Sequence, residues 1–158
     1  MIKLLRILPY FLLVLNLAFI FGNSVLDGKT SLAVSTKAEE AIEKVVGKDI
    51  GNDSDDIGAY SEFNGFLRKC AHATEFFTLS VLAYICAQPL GGAVRPLSFI
   101  LMGIAVPLLD ETLQLFHKRS ALISDIWIDV AGYAAGAVLM LAAEAIYRLV
   151  RKKRQENE

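Results

Sequence analysis

Ten polar or ionisable side chains sit in or beside stretches that are otherwise apolar, and they are the part of this sequence able to do chemistry. They fall into three groups: Arg68, Lys69, His72 and Glu75; Asp110, Glu111 and Gln114; and Arg119, Asp125 and Asp129. The cations can hold a phosphate or a carboxylate, arginine through a two-point fork. The carboxylates can take an amine or balance those cations, and with the histidine they could gather a divalent ion. A lone histidine among scattered acids is a weak metal pattern, however, and no HExxH helix, CxxC pair, nucleophile elbow or phosphate loop accompanies it. The expectation is therefore a binding pocket with no metal and no cofactor.

Spacing gives each group a face. Arg68, His72, Glu75 and Leu79 step by four, three and four, one stripe of a helix. Asp125, Asp129, Gly132 and Gly136 step the same way, and the Gly132-x-x-x-Gly136 pair offers a small-residue surface against which another helix can approach closely. That partner could belong to the same chain or to a second copy.

The elements that must position these groups are membrane helices. Hydrophobic residues make up 54% of the 158 and mean hydropathy is +0.46, with the apolar residues gathered into long runs as in a chain that meets lipid. Four spans are expected, over about 4–22, 66–87, 97–116 and 123–150, making an all-α, polytopic four-helix bundle within a single domain. The first run reads as a retained anchor rather than a signal peptide, because it is long for an h-region and lacks a clear small-x-small cleavage site. Residues 23–65 are expected to form an extracytoplasmic excursion, with nine acids against four lysines between Asp27 and Glu62. Within it, Ser31 to Val46 carries apolar residues at helical spacing, an amphipathic surface helix, and 47–58 reads as a loop.

Orientation follows from the cations in short loops, which favour the cytoplasm. Lys3, Arg6, Arg95 and the tail from Arg148 to Arg154 all share one side if there are four spans, so both termini are expected to be cytoplasmic. Lys118 and Arg119 then break the rule, as though Arg119 were recruited to a carboxylate cluster. With this topology all three polar groups lie toward the outer face. A lone charge at the middle of a membrane helix costs about 2.5–3.5 kcal/mol, so Glu75 and Asp129 should face protein rather than lipid.

The totals also exclude. A net charge of -1 with one short basic tail is no footprint for nucleic acid. Cys70 and Cys86 are sixteen residues apart on one expected helix, about 24 Å of rise, too far for a disulfide. Both are expected to be small apolar fillers, and Trp127, Tyr84 and Tyr133 to be interface or packing aromatics.

The runs Arg68-Lys69-Cys70-Ala71-His72-Ala73-Thr74-Glu75-Phe76 and Asp110-Glu111-Thr112-Leu113-Gln114-Leu115-Phe116, with Arg119, Ser124-Asp125 and Asp129-Val130-Ala131-Gly132-x-x-x-Gly136, resemble the signature of the VanZ-like family. Asn23-Ser24 after the first helix fits it too. Most of 27–63 is unmatched, and Leu115-Phe116-His117-Lys118 stands where many relatives carry a proline and a glycine. The resemblance implies a bacterial inner-membrane protein from a family whose founding member is associated with resistance to the glycopeptide teicoplanin. It implies no chemistry.

Three functions compete. In the first, the outward-facing polar pocket binds an amphiphile, a lipid-linked wall precursor or the tail of a lipoglycopeptide. Arg68, Lys69 and Arg119 would then meet anionic groups, and Asp110, Glu111 and Asp129 amines. In the second, the same acids with His72 hold a divalent ion in a membrane-embedded hydrolase or transferase, so enzymatic activity stays open. The third is a structural or assembly factor whose polar seam only holds the bundle together. The bilayer is the expected partner throughout, with a homo-oligomer open through Gly132 and Gly136.

Overall fold

The computed structural model describes residues 2–25, 57–116 and 123–157, with side chains over 7–25, 65–116 and 125–157. Four α-helices account for nearly all of this: α1 Ile2–Val25, α2 Ile57–Ala87, α3 Val94–Phe116 and α4 Ile123–Glu156. Each contains a stretch long and apolar enough to cross a membrane, and the described residues contain no strand. The protein is an all-α, multi-pass membrane protein. In hydrocarbon the backbone has no water to bond, so each span must satisfy its own amides as a helix does. The hydroxyls of Thr74, Thr78, Ser98 and Thr112 likewise bond back to carbonyls three or four residues earlier, which hides them from lipid.

Helix bounds differ from the expected ones at both ends of the excursion. Helix α1 runs to Val25, so Asn23 and Ser24 are still helical. Helix α2 starts at Ile57, inside the stretch assigned to the excursion. Gly58, Glu62 and Gly65 interrupt the apolar run there, yet Ile57, Tyr60 and Phe63 keep a three-residue step that continues the helix. Helix α4 extends to Glu156, well beyond the roughly 20 residues a bilayer needs, and its last turns carry the basic tail. The amphipathic helix expected over 31–46, the loop through residue 56 and the hairpin 117–120 lie outside the described residues.

Residue pairs across the bundle set its directions. Arg68 meets Asp125, His72 meets Asp129 and Tyr84 meets Glu144, so α2 and α4 run parallel. Tyr10 reaches the Cys86 carbonyl and Asn23 reaches Glu75, so α1 opposes α2. Arg95 meets Glu144 and Tyr133 meets Phe99, so α3 opposes α4. Short α2–α3 linkage through residues 88–93 fits that order, with Gly92 at φ 55° taking the left-handed conformation a side chain would resist.

The α2–α4 contact is the most extensive, and glycine explains it. A Cβ on Gly132 would lie 2.3 Å from the Ala73 carbonyl oxygen, and one on Gly136 2.7 Å from that of Phe77. Backbone therefore meets backbone within one chain, the small-residue packing that drives helix association where lipid removes the hydrophobic effect. The apolar core sits below the polar seam, in Ile20, Phe76, Leu79, Val106 and Tyr133, one or two residues from every helix. Gly103 makes room for the Tyr133 ring, whose hydroxyl donates to the Phe99 carbonyl at 2.7 Å. Outward faces are apolar, as at Phe11, Val14, Ile104, Leu108 and Val138, which is what lipid requires.

Candidate functional site

The C-terminal end of α1, the first half of α2, the C-terminal end of α3 and the start of α4 meet at one pole of the bundle. Parallel and antiparallel directions make this unavoidable, since each polar group sits at the end of its helix that points to that pole. His72 and Glu75 come from α2, Asp110, Glu111 and Gln114 from α3, and Asp125 and Asp129 from α4. Asp110 and Asp129 are fully buried, and Glu111, Gln114 and Asp125 are buried too.

Asp110 is the best-held member. Gln114, one turn on, donates to its Oδ2 at 2.8 Å, and the Ser24 hydroxyl from α1 reaches its Oδ1 and the Ile20 carbonyl. Both carboxylate oxygens are thus fixed in direction. Glu75 accepts a hydrogen bond from the Asn23 amide at 3.0 Å on Oε1, while its Oε2 is buried without a hydrogen-bond partner among the described residues. His72 Nδ1 lies 3.4 Å from Asp129 Oδ1, close enough for charge attraction but not aligned as a hydrogen bond. Both oxygens of Asp129 and both of Glu111 are buried with no hydrogen-bond partner among the described residues.

Such orphaned oxygens are costly, because a buried acceptor has lost its water and gained nothing. Their concentration at one place is the anomaly. Single ligand atoms of His72, Asp110 and Asp129 all lie within 4.8 Å of one another. Two carboxylates that close repel each other when both are ionised. Counter-charge within the described residues is thin: Arg68 stands 3.8 Å from Asp125 with 39% of its side chain exposed, an ion pair of small worth.

Two expectations need revision, and a third stays untested. Lys69 is exposed, because it lies a helical step away from the inward stripe of Arg68, His72 and Glu75. Cys70 is exposed as well and only Cys86 is half-buried, so Cys70 fills no gap. Arg119 lies outside the described residues. Reasoning from helical stripes also passed over Asn23 and Ser24 as members of the polar group, for they stand at the end of an apolar run and carry no charge. The signal available for them was their place in the family-like pattern.

A second polar group occupies the opposite pole. Glu144 of α4 accepts from the Tyr84 hydroxyl, from Arg95 at 3.0 Å and from Arg148, and the Arg95 guanidinium also lies over the Tyr84 ring, 5.3 Å from its centre. A crevice of about 520 Å³ opens beside it, walled by Phe99, Ile100 and Leu141. Glu144 was hidden from sequence reasoning by an apolar helix that continues past it. Its donors satisfy it, so this group reads as a lock across α2, α3 and α4.

Comparison with curated proteins and with solved structures returns no match. The family model described as VanZ/LLP1 matches residues 9–146, taking in most of every helix and all the polar residues of the seam. The chain belongs to the VanZ/LLP1 family.

Proposed function

We propose that this protein binds an amphiphile at the polar seam, with the head group among His72, Asp110, Glu111 and Asp129 and the apolar tail along the lipid-facing helices. The observation that carries the reading is the set of buried carboxylate oxygens on Asp129 and Glu111 that have no hydrogen-bond partner among the described residues. A side chain held in that state serves a ligand better than it serves the fold, and ionisable groups within membrane spans mark sites more often than packing. Within the seam, Glu75, Asp110, Glu111, Asp125 and Asp129 outnumber Arg68 and His72 among the described residues, which suits a ligand with an amine more than a purely anionic one.

By the distribution of arginine and lysine, the seam lies toward the outer face of a bacterial inner membrane and both termini are cytoplasmic. A lipid-linked wall precursor or the tail of a lipoglycopeptide is the ligand class that position favours. Through it the protein would contribute to envelope homeostasis or to resistance against teicoplanin-type glycopeptides. The test is mass spectrometry of lipids carried by the purified protein, beside antibiotic susceptibility of a strain that relies on it. A species lost from the Asp129→Asn variant, with raised susceptibility, is the expected result. Identical lipids and unchanged susceptibility in Asp129→Asn and Glu111→Gln would refute the proposal.

A further inference from the structure

We infer that the seam holds one divalent cation, ligated by His72, Asp110 and Asp129, and that the cation is hard, of the Mg²⁺ or Mn²⁺ kind. The inference rests on the reading of the seam as the working site and names what neutralises it.

Four observations converge. The candidate ligand atoms of His72, Asp110 and Asp129 lie within 4.8 Å of one another. Two ligands of one ion at about 2.1 Å stand about 3.0 Å apart when cis and about 4.2 Å when trans, so a pair near the 4.8 Å limit would have to close by roughly 1–2 Å on binding. His72 Nδ1 and Asp129 Oδ1, at 3.4 Å, already stand at a chelating separation. Second, Asp129 is fully buried and Glu111 nearly so, and all four of their oxygens lack a hydrogen-bond partner among the described residues. An ion is the partner that would satisfy several of them at once.

Third, Asp110 has the outer support that metal ligands have. Gln114 donates to one oxygen and Ser24 reaches the other, which fixes the carboxylate plane and leaves each oxygen a further lone pair. Fourth, the donors come from α2, α3 and α4, with Ser24 from α1 behind them, so a bound ion would tie all four helices at one pole. Donor chemistry sets the ion. Two carboxylates and one imidazole with no thiolate favour a hard ion over copper(I). An ion here would also give a phosphate or carboxylate head group something to bind in a pocket that is otherwise acidic.

The experiment uses the full chain in nanodiscs, stripped with chelator and then titrated with Mn²⁺ followed by electron paramagnetic resonance. One Mn²⁺ per chain is expected, displaced by Mg²⁺, with electron spin echo modulation from an imidazole nitrogen that disappears in His72→Gln. Affinity should fall at least tenfold in Asp129→Asn, and stay unchanged in Glu144→Gln at the other pole. Because the imidazole modulation is read on the unmutated protein, a variant that fails to fold does not decide the outcome. Absence of bound Mn²⁺ at millimolar concentration, or binding without nitrogen modulation, would overturn the inference. Lipid content measured on the same samples separates the two readings: lipid retained without any cation sinks the ion alone, and a bound ion without a specific lipid sinks the amphiphile alone.

Discussion

Replacing Gly132 by alanine should weaken the protein although alanine is the better helix former. The added Cβ would stand 2.3 Å from the Ala73 carbonyl oxygen and 3.0 Å from its carbonyl carbon and Cα, against the 3.4 Å of ordinary contact. The obstacle is backbone of α2, which cannot rotate aside as a side chain can. Helix α4 must therefore retreat by about 1 Å, and overpacking of that kind costs about 1–3 kcal/mol. Against this stands the gain from removing glycine from a helix, about 1 kcal/mol. The balance is a net loss of up to about 2 kcal/mol. Gly136, whose nearest obstacle is the Phe77 carbonyl at 2.7 Å, should lose less. Gly22, with nothing within 4 Å, should show the propensity gain alone. Thermal unfolding of the purified protein in detergent, followed by helical circular dichroism, ranks the three. The order Gly22→Ala above parent above Gly136→Ala above Gly132→Ala is expected. A Gly132→Ala protein as stable as Gly22→Ala would refute the account of α2–α4 packing.

Other consequences follow from the same geometry. In chelator-washed protein, Asp129→Asn should raise the midpoint of thermal unfolding by several degrees, since it removes one of two carboxylates held within 4.8 Å and protein stability is commonly given up for a site; a lower midpoint would contradict that strain. Glu144→Gln should cost about 1 kcal/mol, because it weakens the acceptor shared by Tyr84, Arg95 and Arg148 while both arginines stay partly exposed; denaturation in detergent checks it. Lys69→Ala should change stability by less than about 0.5 kcal/mol, as an exposed side chain outside the seam. Reporter fusions to residue 1 and residue 158 should both report the cytoplasm, and a split result would reverse the orientation drawn from the arginine and lysine count.

Much of the architecture was legible without coordinates. Four apolar runs separated by charged stretches can only become four spans, because a backbone in hydrocarbon has no other stable form. Given four helices linked in antiparallel order, His72 and Glu75 near the start of one run, Asp110 and Glu111 near the end of the next and Asp129 near the start of the last must share a pole. Arg68, His72 and Glu75 could be assigned to one face by spacing alone, and Gly132 with Gly136 to a close helix contact.

What tertiary structure decided is who meets whom within that pole. Helical periodicity places a residue on a stripe but says nothing of the rotation of each helix about its axis, and rotation is set by packing across the bundle. So only the structure turns the Arg68 stripe toward α4, with Arg68 near Asp125 and His72 near Asp129. It alone turns the glycine pair of α4 onto the backbone of α2 in the same chain, and brings uncharged Ser24 of α1 against Asp110. Glu144 joins Tyr84 and Arg95 for the same reason: the chain carries the three on separate helices, and the contact exists only once parallel α2 and α4 close against α3, whereas Arg148 is a turn away on α4 itself.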